Sequence, residues 1–243
     1  MKAMVFSDLI TMKRNLLQLL GICVLVALFI SVGTETLVTT GACIAAMVPI
    51  MYLFSIAAYD EMNKWEVFRL TLPLSRKQVV AGRYASFLLV AVASCVLGIA
   101  LCLVLGLVAG AVAGGVGEDP QGMLYTLSML ALDNTGVEAT MGGCVGGFVV
   151  VMIMAAASLP FIMRFGMMRA VRIIPLAIAA VLFLFVTLFT GDGPFAYLLP
   201  DMTQWLFDGV GLRVLIAGLV VATAVLFAAS FAVSARLYAR REL

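Results

Sequence analysis

YDEMNKWEVFRLTLPLSRKQVVAGRY, residues 59–84, is the longest well-populated polar stretch in a chain otherwise built from apolar runs. It mixes both charge signs with Trp65 and Phe68. An apolar run long enough to cross a bilayer lies on each side, residues 37–58 before it and 84–113 after it. A crossing helix needs about 20 apolar residues, so residues 59–83 read as a loop in water joining two membrane spans. The composition agrees. Of 243 residues, 64% are hydrophobic and 12% charged, where soluble domains have about 45–50% and about 25%. A chain this size has no interior large enough to hide so much apolar surface, so the fold class is an all-α integral membrane protein.

Within the loop, Pro73 ends one element, and Ser75-Arg-Lys-Gln78 has the form of a capping box. Ser75 can bond the backbone of Gln78 while the Gln78 side chain reaches back. The helix that becomes the third span therefore starts near Arg76, before the membrane. Residues 60–70 can form a short helix on which Trp65 and Phe68 project from neighbouring positions. Beside Lys64, Glu66 and Arg69, such an aromatic suits docking to a partner. A headgroup-anchored loop uses the same residue types.

Outward from the loop, hydropathy predicts six spans, residues 16–32, 37–58, 84–113, 142–163, 173–190 and 213–235, in one transmembrane domain covering 1–243. Residues 1–14 place Val5, Leu9, Met12 and, beyond them, Leu16 on one helical face. This predicts an amphipathic helix lying at the inner membrane surface; a plain charged flank of the first span is the other reading. The run 16–32 also has features of a signal peptide, but no Ala-x-Ala site follows it, so it reads as a retained span. Pro49 sits inside the second run, where it frees a backbone carbonyl. In the third, Ser94, Gly98, Cys102, Gly106, Gly110 and Gly114 recur every four residues and build a smooth stripe for close helix packing. The piece FAYLLPDMTQWLF, residues 195–207, reads as a hairpin re-entering the outer leaflet before the last helix, or as an aromatic-anchored loop.

Charge sets the expected orientation. Residues 1–15, 59–83, 164–172 and 236–243 hold every basic residue except Arg213. Basic loops stay cytoplasmic, which predicts both termini inside and six crossings.

Several chemistries are excluded. There is no His, so neither a His-Glu-x-x-His metal site nor a serine triad with a His base can form. No GxxxxGK[ST] loop occurs, so the chain has no P-loop. The spans hold almost no charge in their interiors, unlike those of an ion-coupled carrier. The expectation is a non-enzyme with no catalytic residues, no metal site and no cofactor of its own. Cys23, Cys43, Cys95, Cys102 and Cys144 are scattered without a CxxC pair and read as small apolar residues in helices.

The run D-E-x-N-x-W-E-x-F-R-L-T-L-P-L-S-R-K-Q-V-V-x-x-R-Y, residues 60–84, resembles the first cytoplasmic loop of bacterial type-2 ABC-transporter permeases, in particular the small six-helix group. The similarity elsewhere is architectural. The resemblance implies a half-transporter in the bacterial cytoplasmic membrane, paired with a second permease subunit, identical or not. Two cytosolic ATPase subunits would bind ATP and Mg. Asp60, Glu61, Asn63, Lys64, Trp65, Glu66, Phe68 and Arg69 would form the coupling helix seated in the ATPase. Gly98, Cys102, Gly106 and Gly110 remain the helix-packing candidates. The implied activity is export of amphipathic peptides, antimicrobial compounds or lipids, with no role for nucleic acid. The alternative is a motor-free immunity or scaffold protein that binds a peptide.

Overall fold

The computed structural model describes residues 2–34, 36–63, 75–113, 136–166 and 209–239. They form α1 (Lys2–Thr34), α2 (Leu37–Met62), α3 (Arg76–Ala113), α4 (Val137–Phe165) and α5 (Gly209–Ala239), with no strand among the described residues. Each is long and apolar enough to cross a membrane, over Met4–Thr34, Leu37–Met62, Lys77–Ala111, Ala139–Phe165 and Ile216–Tyr238. The expected span 173–190, the expected hairpin 195–207 and loop residues 64–74 lie outside the described residues.

The helices overrun the apolar runs that predict them. α2 continues to Met62, past Tyr59, and α3 begins at Arg76, so residues 63–75 separate the two helices. Hydropathy marks where lipid ends, whereas a helix continues into water until a cap stops it. Both caps are visible. The Asn63 backbone N–H donates to the Tyr59 carbonyl at 3.1 Å, and its side-chain amide donates to the same oxygen at 2.9 Å. At the start of α3, Gln78 N–H donates to Ser75 Oγ at 3.3 Å, and Ser75 N–H donates to Gln78 Oε1 at 3.1 Å. This is the capping box expected from residues 75–78. Loss of such a cap costs about 1 kcal/mol. Ser75→Ala will lower stability by about that amount in detergent melts, and Ser75→Asp, which also caps, will not.

α1 differs from the expected pairing of a surface helix with a separate span: it is one unbroken helix of 33 residues. Its packed face near the N-terminus holds Met4, Asp8 and Met12, all buried. Val5, Leu9 and Leu16, three of the four residues of the predicted apolar face, are only half-buried. The packed face is shifted because it carries Asp8, which a hydropathy pattern counts as polar.

The chain divides into two compact units, residues 1–155 and 156–243. In the first, α2 packs against α1 and α3. Its buried residues are Leu37, Thr40, Gly41, Ile44, Ala45, Val48, Pro49, Tyr52, Leu53, Ile56, Ala57 and Asp60. That alternation of three and four is a continuous stripe along one side of a helix. Small residues bring the neighbours in. A Cβ on Gly98 of α3 would stand 3.2 Å from the Gly41 carbonyl, and one on Gly147 of α4 would stand 2.5 Å from the Ala42 carbonyl. Backbone therefore meets backbone at both places.

In the second unit, Ser230 of α5 donates to the Ala156 carbonyl at 2.6 Å. α5 leaves Val214, Val221, Val225 and Leu226 exposed, as suits a helix facing lipid. α4 ends at Gly166, whose φ of 79° is left-handed and whose N–H donates to the Ile162 carbonyl at 3.0 Å. Glycine takes that conformation without steric cost.

Candidate functional site

Three charged side chains, one from each of the first three helices, meet at the end of the bundle from which the 63–75 loop leaves. Asp60 is in the last turn of α2, Arg83 in the second turn of α3, and Asp8 in the second turn of α1. All three are buried, at 6%, 4% and 4% exposure. Arg83 Nη2 pairs with Asp60 Oδ2. Arg83 Nη1 lies 3.6 Å from Asp8 Oδ2, and among the described residues it has no hydrogen-bond partner. Ser86 sits one turn further along α3. Its hydroxyl donates to the Arg83 carbonyl at 3.0 Å and lies 3.5 Å from Asp8 Oδ2; with one proton to give, the shorter contact takes it.

The depth of the triad follows from helix geometry. At 1.5 Å per residue, the length of α2 from Leu37 to Asp60 is about 35 Å, against about 30 Å for the hydrocarbon core of a bilayer. The charges therefore lie near the membrane boundary and not at mid-depth. Asp60 also stands at the end of α2 where the helix dipole disfavours an anion. The helix itself gives no reason for a carboxylate there; the guanidinium opposite does. Packing around the triad is tight. A Cβ on Gly82 would stand 3.1 Å from Met4 Sδ, and Val79, Val80, Tyr84 and Phe87 are buried on α3.

Of the predicted coupling residues, Asp60 is turned inward to Arg83. Glu61 and Asn63 are exposed, and Asn63 closes α2. Lys64, Trp65, Glu66, Phe68 and Arg69 lie outside the described residues. Of the packing candidates, Gly98 meets α2 as above. Cys102 and Gly106 are buried, and Cys102 Sγ is 3.5 Å from the Leu37 carbonyl. Gly110 faces open space. Sequence reasoning missed Asp8 and the role of Arg83. The available signal was a single carboxylate inside an apolar helix, in the segment VFSDLI, residues 5–10; such a group needs a partner.

The stretch that carries the triad and the capping box also carries the family relationship. The family described as ABC-2 family transporter protein matches residues 3–116. Over that stretch the chain is similar to the membrane subunits of type-2 ABC transporters. The chain is a multi-pass membrane protein, and the matched region takes in α2 and α3 whole and all of α1 after Lys2. No curated protein and no solved structure matches it.

Proposed function

We propose that this chain is the membrane half of an ATP-driven exporter, moved by a separate cytosolic ATPase that presses on residues 59–83. The observation that carries the reading is the buried triad at the base of that loop, inside the family-matched region. Asp60 and Arg83 bind the last turn of α2 to the start of α3, so a push on the intervening loop displaces both helices together. Asp8 adds α1 to the same block. Buried, mutually paired charges hold geometry better than apolar contacts, because separating them strands a charge away from water.

In this reading Glu61 and residues 64–69 meet the ATPase, while Asp60 acts from inside, holding the loop's base. ATP and Mg stay on the ATPase. The absence of a P-loop in the sequence supports an external motor. In this reading residues 59–83 and both termini face the cytoplasm of a bacterial cell, and the basic character of those segments supports that orientation. A second permease subunit completes the path. The expectation of a crossing over 173–190 and an outer hairpin over 195–207, from the sequence alone, belongs to this reading.

The test is purification from the native membrane in mild detergent. A P-loop ATPase is expected to accompany the wild type and to be lost from the Trp65→Ala, Glu66→Lys double variant, which still inserts in the membrane. Retention of the ATPase by that variant, or transport by the permease alone in sealed vesicles, would overturn the reading.

A further inference from the structure

α1 carries an apolar strip that no other described helix covers. Phe6, Ile10 and Leu17, at intervals of four and seven residues, share the side of the helix opposite the buried Met4, Asp8 and Met12. They are 67%, 61% and 70% exposed. A groove of about 540 Å³ runs along the strip, and its described walls, from Phe6 to Leu20, all belong to α1. Two cations flank the strip at one level. Lys13 lies three residues after Ile10 and four before Leu17; Arg14 lies four after Ile10 and three before Leu17. Both are exposed. Neither pairs with a carboxylate among the described residues, because Asp8, the one acidic residue of α1, is turned to Arg83.

Depth says what the two charges meet. At 1.5 Å per residue, Lys13 stands about 30 Å along the axis from Thr34, where α1 ends. That is the thickness of the hydrocarbon core of a bilayer, about 30 Å. Lys13 and Arg14 therefore lie at headgroup level, with Leu17 and Leu20 in the hydrocarbon and Ile10 and Phe6 in the polar layer, where aromatic rings settle well. A second copy of the chain fits this strip badly. Two copies related by a two-fold axis along the membrane normal meet at equal depth, which would set Lys13 and Arg14 against their own counterparts. A lipid with a negatively charged headgroup brings the opposite charge at the right level and an acyl chain beside it.

We propose that Lys13 and Arg14 form a binding site for one anionic phospholipid, with its phosphate between the two cations and an acyl chain along Leu17 and Leu20. The Arg14 guanidinium meets phosphate oxygens in pairs, and Lys13 adds a compact point charge. The site depends neither on what the protein transports nor on how it is driven.

The test is native mass spectrometry of the full chain, delipidated in detergent and titrated with phosphatidylglycerol or with phosphatidylcholine of the same acyl chains. A basic side chain at an anionic lipid surface contributes about fivefold in affinity. The pair therefore predicts a preference of about twenty-fivefold for phosphatidylglycerol in the first lipid bound. Lys13→Gln with Arg14→Gln removes the preference, and Lys13→Arg with Arg14→Lys keeps it. Lys77→Gln, at an exposed cation of α3, leaves it unchanged. Leu17→Ser lowers the affinity for both lipids. Equal affinity of the wild type for the two lipids would overturn the proposal. So would a preference that survives the double Gln variant or falls as far in Lys77→Gln, or a Leu17→Ser variant that binds as the wild type does. A two-chain species that takes up no lipid would give the strip to a second copy, and displacement of the lipid by glycerol 3-phosphate would make the site one for free phosphate; either overturns the proposal.

Discussion

Replacing Arg83 with methionine will remove a large share of the protein's resistance to unfolding, because it leaves two carboxylates facing each other in a buried site. Asp8 and Asp60 are each less than a tenth exposed, and Arg83 contacts both. Breaking a buried ion pair by removing one partner costs about 3–5 kcal/mol, against a total stability of about 5–15 kcal/mol for a folded protein. The penalty lies in the stranded charge more than in the lost attraction. The triple variant Asp8→Asn, Asp60→Asn, Arg83→Met carries no charge at the site and keeps similar volumes, so it will recover much of the loss. Asp60→Asn will cost more than Asp8→Asn, because Asp60 makes the closer contact with Arg83. Thermal melts followed by size exclusion in detergent give all four values. A triple variant no more stable than Arg83→Met would show that charge burial is not what matters here. The neutral triple also separates stability from coupling. Under the proposed function, in which the charges keep the loop in step with the helices, this variant would fold, bind the proposed ATPase and export poorly.

Two adjacent glycines on α4 will answer the same substitution with opposite signs. In Gly147→Ala the new Cβ meets the Ala42 carbonyl at 2.5 Å and the Ala42 Cα at 3.0 Å. Backbone cannot swing aside as a side chain can, so α2 and α4 must move apart. Overpacking of this kind costs about 1–3 kcal/mol. In Gly146→Ala the Cβ meets nothing within 4 Å, so only the helix-forming advantage of Ala remains, about 0.5–1 kcal/mol in favour of the variant. Gly110→Ala on α3 belongs with Gly146→Ala, and Gly143→Ala, whose Cβ would come 2.8 Å from the Val38 carbonyl, with Gly147→Ala. Paired melts of the four variants check the signs. Equal effects at 146 and 147 would mean that α4 does not approach α2 as closely as these distances state.

How much of this was readable beforehand varies with the range of the interaction. The capping box at Ser75 and Gln78 was legible because both bonds run within four consecutive residues. The start of α3 followed from it. Five of the six expected spans meet a described helix, because hydropathy is summed along the chain, and the run 173–190 lies outside the described residues. The small-residue stripe on α3 was legible only as a stripe. Periodicity tells which residues share a face; Gly98 meets α2 while Gly110 meets nothing, and only the neighbour's position decides that. The coupling residues were sorted in the same way. Asp60 and Asn63 belong to one acidic-Asn motif in the sequence. In the fold the first is buried against Arg83 and the second stays exposed and caps α2, because α2 ends at Met62 and Asn63 has already left the helix.

The amino-acid order by itself determined that this chain lives in a membrane, roughly where its second and third helices run, where the third begins, and that it contains no GxxxxGK[ST] motif. Each of these depends on residue identity or on neighbours a few positions away. The tertiary structure alone decided that Asp8, Asp60 and Arg83 form one cluster and that α1 turns its Asp8 face inward. Those facts depend on how each helix is rotated about its axis. Rotation is set by contacts between residues tens of positions apart, where a close approach of backbones and the need to pair a buried charge outweigh local pattern.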